Sequence, residues 1–275
     1  MCLLVVLSRV HPAAPLVVAA NRDEWLNRPA SPCTVLQEHG PRILGGRDEL
    51  AGGTWLAVNE HGVFAGLTNQ PTPVRDPSRR SRGELPLALV QHPSARAAVE
   101  AFVPRHRPAD YSPAWLLVGD REALYLVDMT GGAEAQVVEL PAGLHVLENR
   151  AWGAPSAKVQ AVRAQVGAIA SGADESLVEQ RSVEQRSVEQ RSVAQLSAVL
   201  RSHQIPTGPA GDSGVAGFVR PPETEANCVH AGPYGTRSSS VLWVARAPAR
   251  PRLWVSDGPP CTHELLSRDA LWLGP

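Results

Sequence analysis

The second residue of the chain is a cysteine, and its place next to Met1 gives it possible chemistry. Methionine aminopeptidases remove an initiator Met when the next residue is small, so we expect the mature chain to begin at Cys2. The thiol would then be a nucleophile. The α-amine of the same residue, with an unperturbed pKa of about 7.7–8.0, would take and return its proton. The alternative is that Cys2 is simply a small residue after a start codon.

A polar tetrad further along the chain is expected to lie beside Cys2. The apolar runs 3–7 and 16–20 predict two buried strands, and the intervening prolines favour a hairpin. The end of the second strand then lies next to the start of the first. An anion there, such as Asp23, can hold an α-amine, and a cation such as Arg22 favours the thiolate. A solvated charged turn is the alternative. The tetrad reads Asn21-Arg22-Asp23-Glu24.

An ordered set of short fragments resembles the NRDE family, the transport-and-Golgi-organisation type, which is named for this tetrad. The chain departs from the family pattern at Glu148, where a small residue is expected, and at Ser256-Asp257-Gly258, where a glutamate is expected. The matching fragments after Cys2 and the tetrad are Gly52-Gly53-Thr54-Trp55-Leu56, Leu67-Thr68-Asn69, Arg82-Gly83-Glu84-Leu85, Asn149 with Trp152 and Lys158, and Tyr234-Gly235-Thr236-Arg237.

The NRDE family in turn resembles cysteine N-terminal-nucleophile hydrolases of the choloylglycine hydrolase and penicillin V acylase group. The resemblance implies that Cys2 is the nucleophile and that Asp23 anchors its amine. It implies an oxyanion donor at Asn149, a second polar group at Asn69, and an effect of Arg237 that lowers the thiol pKa. An amide suits the oxyanion role because it supplies N–H donors without adding charge. The supporting or binding residues are expected to be Asn21, Arg22, Glu24, Trp25, Trp55 and Thr68.

Three classes of function remain open on the sequence. The first is a hydrolase of an amide or related acyl bond. The second is a non-catalytic carrier in haem trafficking or in acyl-CoA and lipid homeostasis, as NRDE relatives suggest. The third is an adaptor in transport and Golgi organisation. We expect a small amide, acyl or haem-like ligand and no required cofactor, with haem only as transported cargo. The net charge of −1 argues against a nucleic-acid partner.

The four cysteines predict neither a disulfide framework nor a metal site. No CxxC pair is present, and we expect no histidine at a metal-ligand spacing beside a cysteine. The N-terminus lacks the pattern of a signal peptide, and no apolar run is long enough to span a membrane. We therefore expect a cytoplasmic protein with free thiols, whose oligomeric state the sequence does not determine. The cysteines are Cys2, Cys33, Cys228 and Cys261.

The order of the elements predicts an α+β fold in one domain over 1–275. Periodicity supports mixed α+β with antiparallel strands, and the resemblance implies a four-layer αββα sandwich. A five-residue repeat over 176–195 extends a predicted helix over 174–203, either as an exposed duplication or as a partner-binding arm. Further helices are predicted at 84–102, broken near Pro93, and at 156–170. Strands are predicted at 3–7, 16–20, 54–58, 63–68, 114–118, 123–128, 136–140, 144–147, 226–230, 239–245 and 251–255.

Overall fold

The computed structural model describes residues 2–72, 76–171, 188–207 and 221–273. Most of the five-residue repeat, residues 176–187, lies outside the described residues, as does the first half of the helix predicted there. The helices are α1 (Glu84–Leu89), α2 (Ala95–Phe102), α3 (Ala157–Ser171) and α4 (Val188–Leu200). The strands are β1 (Leu3–His11), β2 (Ala14–Trp25), β3 (Ala30–Gln37), β4 (Ile43–Asp48), β5 (Leu56–Asn59), β6 (Phe64–Asn69), β7 (Ala114–Gly119), β8 (Leu124–Asp128), β9 (Gln136–Leu140), β10 (Gly143–Leu147), β11 (His230–Ala231), β12 (Tyr234–Val244), β13 (Arg252–Ser256) and β14 (Leu266–Ser267).

The strands form two antiparallel sheets. The first has the order β10-β1-β2-β12-β13-β14, with β11 paired to β12. The second follows the chain order from β3 to β9. The predicted hairpin of β1 and β2 is present, with Leu3 opposite Asn21. Strand β12 pairs with the other side of β2, so the whole tetrad lies beside β12, while β1 reaches only as far as Asn21.

Three hydrophobic clusters show how the layers stack. Leu4 and Val6 of β1 belong to a cluster shared with strands of the second sheet, so these side chains fill the space between the sheets. Leu3 and Val5 belong instead to a cluster with α3 and α4. A third cluster joins the outer face of the second sheet to α1 and α2. The order is therefore helices, sheet, sheet, helices. The apolar run of β1 is continuous because both of its faces are buried.

This arrangement confirms the αββα fold and most of the predicted elements. The helix predicted over 84–102 is two helices, and the break falls at residues 90–94, around Pro93. Strands β3 and β4 were missed. Every residue of β3 is only half-buried and its pairing with β4 is twice irregular, so neither strand shows a clear apolar period. Helices in the described part of the chain are too short or too polar to cross a bilayer.

Candidate active site

Cys2 lies at the entrance to β1, facing the space between the sheets. It has the same parity as Leu4 and Val6, which point into that space, and it is 7% exposed. Its main-chain nitrogen donates to Oδ1 of Asn149 at 2.5 Å, and its sulfur accepts a hydrogen bond from the backbone of Asp23. The nucleophile predicted from the sequence is therefore held at both its nitrogen and its sulfur.

The tetrad at the end of β2 divides between the two faces of the sheet. Arg22 points toward the second sheet, where its guanidinium lies 4.0 Å over the ring of Trp55 and 3.5 Å from Oδ2 of Asp48. Asn21 points toward the helices and donates to the carbonyl oxygens of Leu200 at 3.0 Å and Asn227 at 2.7 Å. The alternation places a cation on the same side of the sheet as Cys2. Asn21 ties the strand to the helical layer.

The pKa of the Cys2 thiol is raised, chiefly because burial penalises the thiolate. The negative charge of Asp23 adds to this rise. The hydrogen bond from the Asp23 backbone and the positive charge of Arg22 oppose it. The resting group is therefore a thiol, whereas a depressed pKa was expected from the sequence. Conversion to thiolate requires a base at the moment of reaction.

Asp23 is buried together with the only lysine of the chain. Oδ1 of Asp23 accepts from Oγ1 of Thr236 at 2.6 Å. Burial raises the pKa of Asp23, while the charge of Lys158 and the hydrogen bond from Thr236 lower it. Lys158 is fully buried, and its Nζ donates to the carbonyl oxygen of Ala226 at 2.7 Å. The family resemblance includes Lys158, but the sequence does not indicate its electrostatic effect on Asp23.

Asn149 joins the N-terminal strand to the second sheet. Its Oδ1 accepts from the Cys2 nitrogen, and its Nδ2 donates to the carbonyl oxygen of Asn69 at 2.7 Å. The backbone of Asn69 is thus the group that contacts Asn149. Glu148, the departure from the family pattern, pairs with Arg150 at 2.8 Å, and both side chains are about 3% exposed. Arg150 also pairs with Glu225 at 2.7 Å, so Asn149 is buried between two residues of a three-residue ion-pair network.

Arg237 stands at an irregularity in β12. The pairing of β12 with β2 shifts between Thr236 and Ser238, which leaves Arg237 as the extra residue of a β-bulge. Its guanidinium donates to the carbonyl oxygen of Leu26. Arg22 is a cation whose charge lowers the pKa of the Cys2 thiol, and the similar effect that the resemblance implies for Arg237 remains a prediction.

The remaining predicted residues surround this centre at different depths. Trp25 is 54% exposed and meets Tyr234 edge-to-face at 5.7 Å. Glu24 accepts from the Trp25 backbone at 2.9 Å. The hydroxyl of Thr68 is buried and has no hydrogen-bond partner in the described part of the chain. Thr68 has the same parity as Gly66, which packs against Leu4, so it too faces the space between the sheets.

Two family fragments distant in sequence meet beside this site. Thr54 donates its backbone N–H to the carbonyl oxygen of Gly83 at 2.9 Å. A Cβ on Gly53 would lie 2.5 Å from the backbone carbon of Gly83, so the two backbone segments pack directly against each other with no room for a side chain. This close approach explains why both fragments contain glycine.

A second cluster of reactive side chains was missed by the sequence analysis. One ligand atom from each of four residues lies within 4.8 Å of the others. The sequence signal was the pair Cys228 and His230, which are separated by one residue, and the expectation of no metal site did not take this pair into account. The other two members come from distant segments, so spacing cannot reveal them. The cluster is His203, Cys228, His230 and Cys261.

The fold is that found in the N-terminal-nucleophile hydrolases. The structure matches an N-acylethanolamine-hydrolyzing acid amidase ortholog from Caenorhabditis elegans with a TM-score of 0.51 and 14% identity, over 90% of this chain and 94% of that chain. A mutant conjugated bile acid hydrolase from Clostridium perfringens matches with a TM-score of 0.47 and 10% identity, over 98% and 97%. At 14% identity, the amidase likeness shows the fold alone.

The family model described as Transport and Golgi organisation 2 matches residues 1–249, and the chain belongs to that family. The mouse Transport and Golgi organization 2 homolog is 44% identical over 73 residues, which are 26% of this chain and 26% of the mouse protein. The human homolog is 42% identical over 73 residues, with the same shares. These alignments span about a quarter of the length of the curated relatives. The NRDE resemblance is thereby confirmed at the level of the family.

Proposed function

We propose that the protein is a cysteine N-terminal-nucleophile hydrolase that acts on an amide or related acyl bond. The observation that carries the proposal is the setting of Cys2, whose nitrogen is bound by Asn149 and whose sulfur accepts from the Asp23 backbone. Both reacting groups of one residue are thus fixed before substrate arrives. Arg22 supplies a nearby positive charge.

The reaction we propose begins with removal of Met1, which frees the α-amine of Cys2. This amine takes the thiol proton as Sγ attacks the substrate carbonyl carbon, and a tetrahedral oxyanion forms. The protonated amine then gives its proton to the leaving nitrogen, the C–N bond breaks, and an acyl-thioester remains. In the second half, water loses a proton to the amine and adds to the thioester. The carboxylic acid leaves, and the sulfur regains its proton.

The surrounding side chains support this sequence of steps. The raised thiol pKa keeps Cys2 protonated at rest, so thiolate forms only as the amine accepts the proton. Arg22 stabilises that thiolate. We propose that Asn149 acts by holding the Cys2 nitrogen, which directs the amine toward its sulfur. Its role as oxyanion donor, which the resemblance implies, remains a prediction.

The direct test is the intact mass of the purified protein before and after a short exposure to iodoacetamide near neutral pH. We expect loss of Met1 and one fast alkylation that Cys2→Ser abolishes. Burial raises the pKa of the Cys33 thiol to about 12, and unlike Cys2 this residue has no α-amine of its own to take the thiol proton, so Cys33→Ser is the matched control and should leave the fast event intact. A retained Met1, or a Cys2 that reacts no faster than an ordinary thiol, would contradict the proposal.

An exposed apolar rim supports a carrier as the second candidate. Trp25 is 54%, Leu26 43% and Leu50 65% exposed. Leu50 is tied to Asp48, the partner of Arg22, through a backbone hydrogen bond of 3.1 Å. Such a rim can receive an acyl chain or a haem-like molecule. Stoichiometric binding of haem or acyl-CoA that Leu50→Ser weakens, together with an unreactive Cys2, would favour this candidate over hydrolysis.

A further inference from the structure

Four metal-binding side chains converge on one surface site from three separate segments. His203 follows α4, and Cys261 lies in the loop after β13. Cys228 lies two residues before β11, and His230 is its first residue. One ligand atom from each lies within 4.8 Å of the other three. Cys228 is buried, Cys261 is half-buried, and the two histidines are exposed. A cation can therefore enter from solvent and reach a sulfur in the protein interior.

The distances match the edges of a tetrahedron around zinc. With Zn–S of about 2.3 Å and Zn–N of about 2.0–2.1 Å, tetrahedral geometry places two sulfurs about 3.8 Å apart and a sulfur and a nitrogen about 3.6 Å apart. The two sulfurs of Cys228 and Cys261 are 3.7 Å apart. Nε2 of His230 lies 3.6 Å from the first and 3.3 Å from the second. His203 is exposed and its ligand atom lies within 4.8 Å of the other three, so a turn of its side chain can bring it to the fourth corner.

The hydrogen bonds of the cluster prepare its nitrogen ligands. Nδ1 of His203 lies 3.2 Å from the carbonyl oxygen of Cys228. A carbonyl can only accept, so Nδ1 carries the proton and Nε2 keeps its lone pair for a metal. A ligating histidine is commonly oriented in this way by its second nitrogen.

The loop that carries Cys261 is shaped without any metal. The backbone N–H groups of Thr262 and His263 both donate to the carbonyl oxygen of Pro259, at 3.1 and 3.0 Å. Gly258 has φ of 142°, and a Cβ there would lie 2.4 Å from the His263 ring. These contacts already order the turn, so a metal ion would not have to order the loop that carries Cys261 in order to bind.

We propose that His203, Cys228, His230 and Cys261 form a tetrahedral Cys₂His₂ site for Zn²⁺. Binding replaces the protons of the two thiols, which pass to solvent, and two neutral imidazoles complete the shell. The two thiolates balance the charge of the ion, so the site is neutral. The ligand set of two sulfurs and two nitrogens favours zinc over magnesium or calcium, which take oxygen ligands.

Zinc at this position would link the loop that carries Cys261 to the segment of Cys228 and His230, which contacts β12 beside the candidate active site. Val229, between two ligands, donates its N–H to Oγ1 of Thr236 at 2.8 Å. The same hydroxyl donates to Asp23 at 2.6 Å. The ligand segment is thus two hydrogen bonds from Asp23. With all four positions taken by protein, the site is structural and leaves no place for a catalytic water.

The test is metal binding by the intact protein, read without any activity. Chelator-treated protein is titrated with Zn²⁺ and, separately, with Co²⁺. We expect one equivalent of Zn²⁺ and, with Co²⁺, the thiolate charge-transfer and visible bands of a tetrahedral site. Loss of a residue that hydrogen-bonds to a metal ligand can lower metal affinity by about 100-fold. Loss of a ligand itself should lower it at least as much, so Cys261→Ser should weaken zinc binding by about 100-fold or more. Cys33→Ser, which removes a cysteine outside the cluster, should bind as the wild type does.

Three results would overturn the proposal. One is an absence of stoichiometric zinc binding and of cobalt bands in the wild-type protein. Another is unchanged affinity in both Cys261→Ser and His230→Asn, two partly accessible ligands whose replacement spares the buried core. The third is a Cys228–Cys261 disulfide in the freshly purified protein, seen as two missing free thiols under denaturing conditions, because oxidised sulfurs cannot serve as thiolate ligands.

Discussion

Replacement of the buried lysine should destabilise the protein strongly. Lys158 is 0% exposed, its Nζ donates to a main-chain oxygen at 2.7 Å, and its charge acts on buried Asp23. Lys158→Met removes the cation but leaves the anion in place. Breaking a buried pair on one side typically costs about 3–5 kcal/mol in free energy of unfolding. For a domain of nearly this size, that corresponds to a fall in Tm of roughly 6–20 °C.

The loss should depend on pH in a defined direction. The pKa of Asp23 in the folded protein is already above its usual 3.8 because of burial, and Lys158 holds it down. Ionised Asp23 therefore weakens stability as pH rises through its folded pKa, and Lys158 offsets part of that cost. Without Lys158 the pKa rises further. The gap between variant and wild type should be largest near neutral pH and should shrink as acid protonates Asp23.

The assay is chemical denaturation of both proteins near neutral pH and at the lowest pH at which both stay folded. The matched control is Arg163→Met, which removes an exposed cation from the same helix and should change stability by less than about 0.5 kcal/mol. Lys158→Met combined with Asp23→Asn should recover about 0.5–3 kcal/mol relative to additivity. A loss that is equal at both pH values and additive in the double variant would refute the electrostatic reasoning.

Three other perturbations have equally defined outcomes. Gly53→Ala forces a Cβ to within 2.5 Å of the Gly83 backbone and should lower the free energy of unfolding by about 1–3 kcal/mol. The control is Gly131→Ala, which has open space around it and should leave stability unchanged. Equal effects in chemical denaturation would disprove the close-packing argument. Arg22→Leu should raise the Cys2 thiol pKa further and slow alkylation about tenfold for each pKa unit. The control is Arg28→Leu, which removes the other partner of Asp48. Equal rates of alkylation in the two variants would contradict the role of Arg22. Asn149→Asp keeps an acceptor for the Cys2 nitrogen but loses the N–H donor to the carbonyl oxygen of Asn69. The free energy of unfolding should fall by about 1–3 kcal/mol, and Cys2 should still be alkylated. A variant as stable as the wild type would show that the hydrogen bond to Asn69 contributes little.

The sequence was sufficient for the local features of the site. The unbroken apolar run of β1 predicted a strand buried on both faces, which places Cys2 at the entrance to the core. The run of β2 followed by the tetrad predicted the hairpin that brings Arg22 and Asp23 beside Cys2. These inferences succeed because a strand alternates its side chains with a period of two, and a hairpin brings neighbouring segments together.

The sequence was insufficient where the environment determines the chemistry. Burial raises the pKa of the Cys2 thiol and Arg22 is a nearby cation that lowers it, while the effect implied for Arg237 remains a prediction. Neither burial nor a β-bulge can be read from residue types, because both depend on what packs against the strand from elsewhere. Strands β3 and β4 were missed for the same reason, since their irregular pairing hides the alternation.

By itself, the sequence determined the family and the layered fold implied by that family, and it predicted Cys2 as the N-terminal nucleophile. Only the tertiary structure decided which groups surround it. Asn149 reaches Cys2 across 147 residues, and Lys158 approaches Asp23 from the helical layer. The cysteine and histidine cluster likewise gathers three segments that no sequence spacing connects. The physical reason is that alternation and turns act over a few residues, whereas the meeting of distant segments is set by sheet pairing and by the burial of shared apolar faces.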